Sequence, residues 1–352
     1  MALFSINNIK ISGVSACVPI HEETNWDFDL LNENEKKLLI KTTGIEKRRV
    51  AEKGTTTADL CFTSAKTLLK KLNFKANEIE LIIFVSQSPD YFLPSTSTIL
   101  QDRLELPTTA MAFDINLGCS GYVYGLSVIS SLMTTTKIKK ALLLAGDVSS
   151  FSINKNDKST YPLFGDAGSA TVLEYDENCS QMHFNVQSDG SGHQAIIIPD
   201  GGIRNPLTKD SFIEHKIEKG IVRSDRNLKL NGTDIFNFSL REVPPNVNEL
   251  VAYANEDIAE YDYFIMHQAN KLMNESIRKK LKFESEKVPY SISKFGNTSS
   301  ASIPLTIVSE LSNKLEKGRN KLILSGFGVG LSWASALVTT NNLICTDILE
   351  YE

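Results

Sequence analysis

Three residues have side chains suited to acyl chemistry and lie at the boundaries of predicted elements. Cys119 follows a strand-like segment and precedes residues 121–133, which are apolar on every side and therefore predict a buried helix. His267 comes directly after an apolar run, and Asn297 follows a glycine and precedes a run of small residues. A cysteine supported by an imidazole and an amide can carry an acyl group as a thioester, so these three are the candidate catalytic residues.

The place of Cys119 at the start of a predicted helix suggests how its thiol is activated. The helix dipole and the free N–H groups of a first turn stabilise thiolate over thiol, so a lowered pKa is expected. A glycine directly before the cysteine lets a substrate approach closely. The alternative is a buried structural cysteine, which is our interpretation for most of Cys17, Cys61, Cys179 and Cys345.

A glycine-rich segment, residues 325–335, places three glycines within five positions directly after an apolar strand. Such a segment can point backbone N–H groups at an anion, as an oxyanion hole requires. A tight structural turn is the alternative, and glycine content alone does not separate the two.

Short apolar runs alternate with stretches of helical spacing along the whole chain. This alternation predicts an α/β protein with largely buried sheets. The predicted strands are 81–85, 141–145, 170–173, 264–266, 322–324 and 334–338, and the predicted helices are 57–72, 121–133, 271–281 and 302–315.

The predicted elements repeat at one offset. Residues 140–146 (KALLLAG) and 320–326 (NKLILSG) lie 180 positions apart, as do the apolar helices that start near residues 121 and 301. We therefore predict two similar α/β halves that pack face to face and join near residues 175–185. The first half, residues 1–178, carries Cys119, and the second, residues 179–352, carries His267 and Asn297. Cys119 and Asn297 occupy nearly matching places in the repeat, so both are expected to face the middle of the molecule.

Residues 188–229 break the repeat and are rich in Gly, Pro, Asp and Ser. Within residues 204–229 there are seven Lys/Arg and four Asp/Glu, so the segment is basic on an acidic protein. Two interpretations stay open, a solvated surface excursion and a flap over a site that receives anionic phosphate groups.

Composition narrows the class of protein. The 352 residues, 41% hydrophobic and 22% charged, are typical of a soluble globular protein, and a net charge of −5 argues against nucleic acid as a partner. No apolar run is long enough to cross a membrane, so no membrane insertion is expected. Residues 1–20 lack the features of a signal peptide and predict a first strand. Five scattered cysteines without a CxxC pair fit the cytoplasm and neither a disulfide framework nor a metal site.

Taken together, these segments resemble the β-ketoacyl-acyl-carrier-protein synthase III family of the thiolase superfamily. The resemblance rests on KTTGIEKRRVAE (41–52), QSPDYFLPSTSTILQDRL (87–104), LGCSGYVYGL (117–126), LFGDAGSATVLE (163–174), HQAN (267–270), FGNTSSASIP (295–304) and GFGVGLSW (326–333), which follow in family order. It implies a thiolase-like five-layered αβαβα fold with two repeated halves, and a homodimer.

The resemblance also implies a mechanism in two steps, with no metal or redox cofactor. Cys119 takes an acyl group from a thioester donor, acyl-CoA or acyl-carrier protein. Malonyl-acyl-carrier protein then loses carbon dioxide while His267 and Asn297 hydrogen-bond its thioester carbonyl, and the carbanion attacks the acyl-Cys119 to give a 3-oxoacyl product. The backbone N–H groups of Cys119 and Val329 form the oxyanion hole, although the family's turn has glycine where Val329 stands.

The family pattern assigns substrate contacts as well. The candidate substrate-binding residues are Leu93, Lys158, Phe236 and Asn270. Lys158 replaces an arginine that contacts CoA, which keeps a charge but loses a planar stacking surface. Leu93 stands at a gating position that is contributed across the dimer, where phenylalanine is common.

Two further groups of residues concern the binding of the acyl donor and of the carrier protein. Leu38 and Thr42 replace a tryptophan and an arginine that grip the adenine of CoA, so the donor is expected to be a carrier protein or an unusual CoA thioester. Arg278, Lys279 and Lys280 form a candidate docking surface for acidic carrier protein, or else a solvated helix end.

Several alternative functions stay open. His267 follows Cys119 by 148 residues, a spacing that papain-like proteases share, but the papain-type neighbourhood of the cysteine is absent. A thiolase-fold acyltransferase, or a chain-fusing synthase that does not use malonyl-carrier protein, would keep much of the same motif set. An inactive homologue is disfavoured by the intact Cys119, His267 and Asn297. The pathway is either fatty-acid initiation or a specialised lipid, polysaccharide or secondary-metabolite pathway.

Overall fold

The structure is a computed structural model that describes residues 2–136 and 138–352. Its strands, numbered along the chain, are β1 (Ala2–Ile6), β2 (Ile9–Pro19), β3 (Glu22–Thr24), β4 (Lys47–Arg49), β5 (Leu81–Val85), β6 (Met111–Ile115), β7 (Lys140–Asp147), β8 (Ala167–Tyr175), β9 (Met182–Ser188), β10 (Ile196–Ile197), β11 (His215–Glu218), β12 (Ile221–Arg223), β13 (Lys229–Leu230), β14 (Tyr263–Met266), β15 (Arg319–Gly328), β16 (Ser332–Asn341), β17 (Ile344–Cys345) and β18 (Leu349–Tyr351).

Nine α-helices are found within the described residues. They are α1 (Glu33–Thr43), α2 (Thr57–Lys71), α3 (Thr96–Arg103), α4 (Gly121–Thr136), α5 (Gly232–Ala254), α6 (Lys271–Lys280), α7 (Ile292–Phe295), α8 (Ser302–Thr306) and α9 (Ser312–Leu315). None of the described helices is both long and apolar enough to cross a membrane.

Two large sheets share one strand order, which confirms the predicted internal repeat. The first sheet runs β17-β2-β8-β7-β5-β6, with β18 also paired to β2, and the second runs β1-β9-β16-β15-β14. In the first, β5 is parallel to β7 while β7 and β8 are antiparallel; β14, β15 and β16 repeat this pattern in the second. Strand β6 is the edge strand of the first sheet, and the described second sheet has no equivalent of it beyond β14.

Helices cover both faces of both sheets and give five layers. Helices α2 and α3 pack on the outer face of the first sheet, and α5 and α6 pack on the outer face of the second. Helices α4 and α8 lie between the sheets and contact both. The predicted αβαβα arrangement is therefore confirmed.

The position of α4 explains its composition. A helix between two apolar sheets has no solvent face, and Tyr122, Leu126 and Ile129 are fully buried. A Cβ at Gly125 would lie 2.8 Å from Val85 and 2.9 Å from Leu143, so glycine is required for α4 to approach the first sheet this closely.

One local prediction is wrong, and one is confirmed with a change in helix type. The described part of the predicted first strand, residues 2–20, forms two strands in different sheets, because Asn8 turns the chain in the left-handed region at φ 64°. The predicted helix 302–315 is interrupted by π-helical residues Ile307–Leu311 between α8 and α9.

The strands at each end of the chain pair with the sheet of the opposite half. The N-terminal strand β1 pairs with β9 in the second sheet, and the C-terminal strands β17 and β18 pair with β2 in the first. The segment between Tyr175 and Met182 connects the two sheets, near the predicted junction. The division of the chain into two halves at residue 178 stays a prediction, although the second sheet includes β1 and the first sheet includes β17 and β18.

Candidate active site

One cavity brings the three candidate catalytic residues together. It has a volume of about 220 Å³, and Cys119, His267 and Asn297 all line it. Cys119 lies just before α4 of the first half, His267 just after β14 of the second, and Asn297 in the turn that follows α7. The site therefore lies between the halves, where the repeat predicted it.

Cys119 is held in a tight turn with its sulfur against the end of β15. The N–H of Gly121 donates to the carbonyl of Gly118 at 2.7 Å, which closes the turn. The side chain of Cys119 is 8% exposed, and a Cβ at Gly328 would lie 2.9 Å from its Sγ. Val329 and Ser299 line the cavity on the same side, since a Cβ at Gly118 would lie 3.0 Å from the side chain of Val329 and 3.1 Å from the Oγ of Ser299.

The expected low pKa of Cys119 is wrong for the resting protein. Burial raises the pKa of the thiol to about 11, and the carboxylate of Asp147 raises it further. The hydrogen bonds from Val329 and Ser299 lower the pKa but do not offset burial. Helix α4 begins only at Gly121, so Cys119 lies outside the first turn and gains less from the helix dipole than expected. The desolvation of the sulfur therefore outweighs the dipole.

His267 is fixed in orientation and neutral. Its backbone N–H donates to Ser325 at 2.8 Å, and its carbonyl accepts from the side chain of Asn274 at 2.9 Å. Its Nδ1 lies 2.7 Å from the hydroxyl of Ser302, which leaves Nε2 as the ring nitrogen available to a substrate. Burial lowers the pKa of His267 to about 3, although the backbone of Ser299 acts in the opposite direction.

Backbone hydrogen bonds fix the position of Asn297, and its side-chain amide can donate a hydrogen bond into the cavity. Its N–H donates to Leu163 at 2.9 Å, and its carbonyl accepts from Gly165 at 3.0 Å. Its Oδ1 accepts from the N–H of Ser299 at 2.9 Å, so the NH₂ group is free to donate into the cavity. Gly296, at φ 67°, sets this turn, and a Cβ there would lie 2.9 Å from both Arg48 and Leu163.

The arrangement combines a buried sulfur nucleophile with neutral N–H donors from three directions. His267 and Asn297 belong to the second half, and the backbone N–H of Val329 comes from the glycine-rich turn after β15. Neutral, fixed donors in a water-poor cavity stabilise a carbonyl oxygen on which negative charge develops. Acyl transfer and enolate chemistry both have this requirement.

Comparison with known proteins agrees with this geometry. The profile for 3-oxoacyl-[acyl-carrier-protein] synthase III matches residues 113–190, and the profile for its C-terminal part matches residues 251–340. A putative 3-oxoacyl-[acyl-carrier-protein] synthase 3 of Campylobacter jejuni is 34% identical over 347 residues, which are 97% of each chain. The chain belongs to the β-ketoacyl-acyl-carrier-protein synthase III family. It is therefore an acyltransferase.

Two further comparisons extend the likeness. A β-ketoacyl-[acyl-carrier-protein] synthase III of Streptococcus mutans is 32% identical over 94% of this chain and 98% of that protein. The crystal structure of a 3-oxoacyl-(acyl-carrier protein) synthase from Burkholderia xenovorans superimposes with a TM-score of 0.93 at 38% identity, over 99% of both chains. The likeness to the synthase III family thus covers nearly the whole chain.

Of the four predicted substrate-binding residues, two line the cavity of this synthase III. Phe236 and Asn270 do so, and the Oδ1 of Asn270 also caps α6 by accepting from Leu272 at 2.8 Å. Leu93 is 76% exposed and Lys158 packs beside Gly220 on the β11–β12 hairpin; neither lines the cavity of the single chain. Their roles as substrate contacts stay predictions.

The predicted docking cluster of the synthase III family is only partly available on α6. Arg278 donates to Glu275 through Nε and a terminal nitrogen, and to the carbonyl of Phe283. Lys280 donates to the carbonyl of Leu240 at 2.9 Å. Among the residues that the structure describes, Lys279 has an exposed ammonium group with no such contact. The role of this cluster in docking a carrier protein stays a prediction.

Residues 188–229 form a cover whose apolar side faces the cavity of the synthase. Strands β10 and β13 pair with each other, and the cavity lining includes Ile196, Ile198, Leu228 and Leu230. Among the described residues that line the cavity there is no lysine or arginine. The flap interpretation thus gains support from position, whereas the predicted contact of its basic residues with phosphate stays untested.

Sequence reasoning missed two polar residues of this synthase site, Asp147 and Ser299. Both line the cavity beside Cys119. Asp147 ends the apolar run KALLLAGD, and a carboxylate at the end of a buried strand is a signal that could have found it. Ser299 lies two residues after Asn297 among other hydroxyl residues, and nothing in the sequence distinguishes it from them.

The neutral state of His267 predicts a pH dependence of the stability of this synthase. The folded-state pKa of about 3 lies below the unfolded value of 6.5, so between these values only the unfolded chain binds the proton. The free energy of unfolding should therefore fall as pH falls, with about 2 kcal/mol from this group at pH 5. Chemical denaturation of the native protein and a His267→Asn variant at pH 7 and pH 5 measures the difference. Equal pH dependence in both proteins would show that His267 is protonated without unfolding.

Proposed function

We propose that the chain catalyses the decarboxylating Claisen condensation of an acyl thioester with malonyl-acyl-carrier protein, through an acyl-Cys119 intermediate, to give a 3-oxoacyl product. One cavity holds a cysteine beside two neutral N–H donors, and that arrangement supports the proposal most directly. No metal or redox cofactor is needed, because every charge that develops meets a protein N–H group.

The first step is transfer of the acyl group to Cys119. The sulfur attacks the thioester carbonyl of the donor, and the backbone N–H groups of Cys119 and Val329 hold the oxyanion. The position of Val329 supports this role, because it lines the cavity directly after Gly328, where an added Cβ would lie 2.9 Å from the sulfur. A backbone donor does not depend on the side chain, so valine can stand where the family has glycine.

The second step forms the carbon nucleophile. The Nε2–H of His267 and the NH₂ of Asn297 donate to the thioester carbonyl of malonyl-acyl-carrier protein as carbon dioxide leaves and enolate charge develops. A neutral imidazole suits this step, since it donates a hydrogen bond without being an acid strong enough to protonate the enolate. The carbanion then attacks acyl-Cys119 and releases the thiol.

The acyl donor is an acyl-CoA or an acyl-carrier protein. Several relatives are synthases whose names specify acyl-carrier protein, and the exposed Lys279 offers a contact for an acidic carrier. Lys158 and the exposed Leu38 stand away from the cavity, which supports a weakened grip on CoA. We infer a cytoplasmic enzyme of fatty-acid initiation or of a specialised pathway, with five unpaired cysteines in support of a reducing compartment.

Product analysis with a panel of thioesters tests this proposal. The native protein is incubated with acyl-CoA or acyl-carrier protein donors of varied length, with and without malonyl-acyl-carrier protein, and products are identified by mass spectrometry. We expect a 3-oxoacyl-carrier protein and equimolar carbon dioxide. An acyl transfer product that forms equally well without the malonyl substrate would instead support the thiolase-fold acyltransferase or chain-fusing synthase.

We also propose that the enzyme is a homodimer formed along β6. This strand pairs with β5 on one side, and no other described strand covers its second edge. The neighbouring loop exposes three large apolar side chains, Tyr91, Phe92 and Leu93, at 62%, 79% and 76%. Unpaired edges and apolar patches of this size are usually covered in the native assembly. Gln87 lines the cavity and is still exposed, which fits a site that a second protomer completes.

Replacement of Leu93 by aspartate tests the dimer. A charge in the proposed interface should separate the protomers, because a buried unpaired carboxylate costs several kcal/mol. Light scattering coupled to gel filtration should then give half the native mass, with acylation reduced about tenfold or more. Leu272→Asp is the matched control, since Leu272 is also 53% exposed but lies on α6. A native dimer that is unaffected by Leu93→Asp would place the interface elsewhere.

A further inference from the structure

The cavity of the synthase opens to solvent beside exposed apolar side chains of the cover. Phe151 and Ile198 line the cavity and are exposed, whereas Cys119 in the same cavity is buried. The acyl donors of the proposed function, CoA and carrier-protein thioesters, both present the acyl group on a pantetheine arm that ends in a phosphate group. Among the described residues that line the cavity there is no lysine or arginine, so a cation for that phosphate has to come from beside the opening.

Arg226 lies in a fixed turn next to this opening. The N–H of Asn227 donates to the carbonyl of Ser224 at 3.1 Å, which closes the turn around Arg226. The N–H of Leu228 then donates to the carbonyl of Ser152 at 2.9 Å. Leu228 and Ser152 both line the cavity, so Arg226 stands only two residues before the cavity wall.

Two aromatic rings flank the guanidinium group of Arg226. Its central carbon lies 5.8 Å from the ring centroid of Phe151 and 5.1 Å from that of Phe212. Both rings are more than half exposed, at 67% and 54%. A guanidinium group is attracted to ring faces at this distance, and this attraction restricts a flexible side chain while its N–H groups stay free to donate.

The loop that carries Phe212 is joined to the same turn. The hydroxyl of Ser211 donates to the carboxylate of Asp200 at 2.7 Å, and the N–H of Asp200 donates to the carbonyl of Asp225 at 3.0 Å. Phe212 directly follows Ser211, and Arg226 directly follows Asp225. The ring and the guanidinium group are therefore held together by the backbone as well as by their own contact.

The positive charge of Arg226 is not compensated by a neighbouring carboxylate. Arg223 pairs with Asp157 at 3.3 Å, and Lys229 pairs with Asp225 at 2.8 Å. Within the part of the chain that the structure describes, Arg226 itself forms no ion pair. Since Lys229 compensates the adjacent Asp225, the charge of Arg226 is available to an anion at the opening.

We propose that Arg226 binds the phosphate group of the donor's pantetheine arm, and that Phe151 and Phe212 hold its guanidinium group in position. A planar guanidinium group can donate two parallel hydrogen bonds to the oxygens of a phosphate. The inference rests on the proposed acyl transfer to Cys119, because a thioester on a pantetheine arm brings the phosphate to this opening. The same phosphate occurs in CoA and in carrier protein, so the contact serves either donor.

The test measures acylation of Cys119 in four proteins, namely the native enzyme, Arg226→Gln, Phe212→Leu and Lys216→Gln. Glutamine removes the charge of Arg226 and keeps a polar side chain. Phe212→Leu removes one of the two rings without changing the lining of the cavity. Lys216→Gln is the matched control, because it removes the same charge from an exposed position on β11 of the same cover. A melting-temperature measurement on each variant confirms that the folded protein was assayed.

Three thioesters of one acyl group separate the parts of the donor. They are acyl-CoA, acyl-phosphopantetheine and acyl-pantetheine, the last of which lacks the phosphate. The acyl group is the one that the native enzyme accepts best in the panel described above. Intact-protein mass spectrometry follows the formation of acyl-Cys119 over a range of donor concentrations, at low and at high salt.

We expect Arg226→Gln to lower the second-order rate constant of acylation about tenfold with acyl-CoA and acyl-phosphopantetheine, the usual effect of one charged hydrogen-bonded contact. With acyl-pantetheine the constant should stay within about twofold of the native value. The rate at saturating donor should not change, because the contact is the same before and during the reaction. High salt should reduce the loss, since the contact is exposed. Phe212→Leu should lose about threefold with the phosphate-bearing donors, and Lys216→Gln should keep native constants.

Three results would overturn the phosphate contact. An equal loss with acyl-pantetheine would reduce Arg226 to a structural part of the cover. A loss with acyl-CoA alone would place the contact on the adenine nucleotide, and native constants with every donor would place the phosphate elsewhere. Acyl-carrier protein identifies the source of the arm. A tenfold loss with this donor as well supports a contact with the carrier-bound arm, and a loss confined to the small phosphate-bearing donors supports CoA.

Failure of the native enzyme to form acyl-Cys119 with any thioester would instead contradict the proposed function. Titration calorimetry with CoA and with phosphopantetheine needs no acyl transfer, so it still decides the phosphate contact in that case. Arg226→Gln should bind both compounds about tenfold more weakly than the native protein, and equal affinities would contradict the contact.

Discussion

Replacement of Cys119 by alanine is expected to abolish acyl-enzyme formation and to lower condensation at least 1,000-fold, roughly the effect of removing a covalent nucleophile. Among the described residues that line the cavity, the other candidates are His267, which Ser302 holds in place, and serine hydroxyl groups, which are weaker nucleophiles than a thiol. Intact-protein mass spectrometry after incubation with an acyl thioester checks the result. The native protein should gain one acyl group and the variant none.

Loss of the sulfur should leave decarboxylation of the malonyl substrate measurable, since His267 and Asn297 stay in place. Cys179→Ala serves as the control, because Cys179 is a partly exposed cysteine in the connection between the halves. It should acylate like the native protein. An acyl group that still attaches to Cys119→Ala, or that is lost in Cys179→Ala, would move the nucleophile away from the site described above.

Replacement of Gly328 by alanine is expected to close the access to Cys119. The added methyl group would lie 2.7 Å from the Cβ and 2.9 Å from the Sγ of Cys119, closer than van der Waals contact. The residue also has φ 154°, which side chains rarely adopt, so a further cost of about 1–2 kcal/mol in folding is expected. Acylation and alkylation of Cys119 should both fall about 100-fold, as expected for a displaced reacting group.

The matched control for this change is Gly190→Ala. A Cβ at Gly190 meets nothing within 4 Å and its φ needs no glycine, so the variant should keep native rates and native stability. Urea denaturation separates the two effects of Gly328→Ala, since strain lowers stability whereas blockage lowers the rates in protein that is still folded. Native alkylation of Cys119 in Gly328→Ala would mean that the turn after β15 shifts away from the sulfur.

The sequence predicted two similar α/β halves because the relevant signals are local, whereas the five layers were implied by the family resemblance. Apolar runs of strand length and the all-round apolar helix at residues 121–133 follow from burial on both sides, and their offset of 180 residues exposes the repeat. The exchange of the terminal strands was missed. Which sheet accepts β1 or β17 depends on pairing across more than 150 residues, and no short pattern encodes it.

For the site, the identity of the residues was predictable from the sequence, whereas their ionisation was not. Cys119, His267 and Asn297 were found because each follows a strand or a glycine where α/β proteins place reactive side chains. Their ionisation was not predictable. A helix N-terminus next to Cys119 suggested a low pKa for its thiol. Burial of the sulfur, to which both halves contribute, instead raises that pKa to about 11.

By itself, the sequence determined that Cys119 lies just before a buried helix and that His267 and Asn297 belong to the matching half. Only the tertiary structure decided which polar side chains surround that cysteine. Asp147 and Ser299 come from different halves and are 152 residues apart, and they meet Cys119 only because the two sheets pack around α4 and α8. Local periodicity reports which face of an element is buried, whereas the pKa of a buried group depends on neighbours that the chain brings together from a distance.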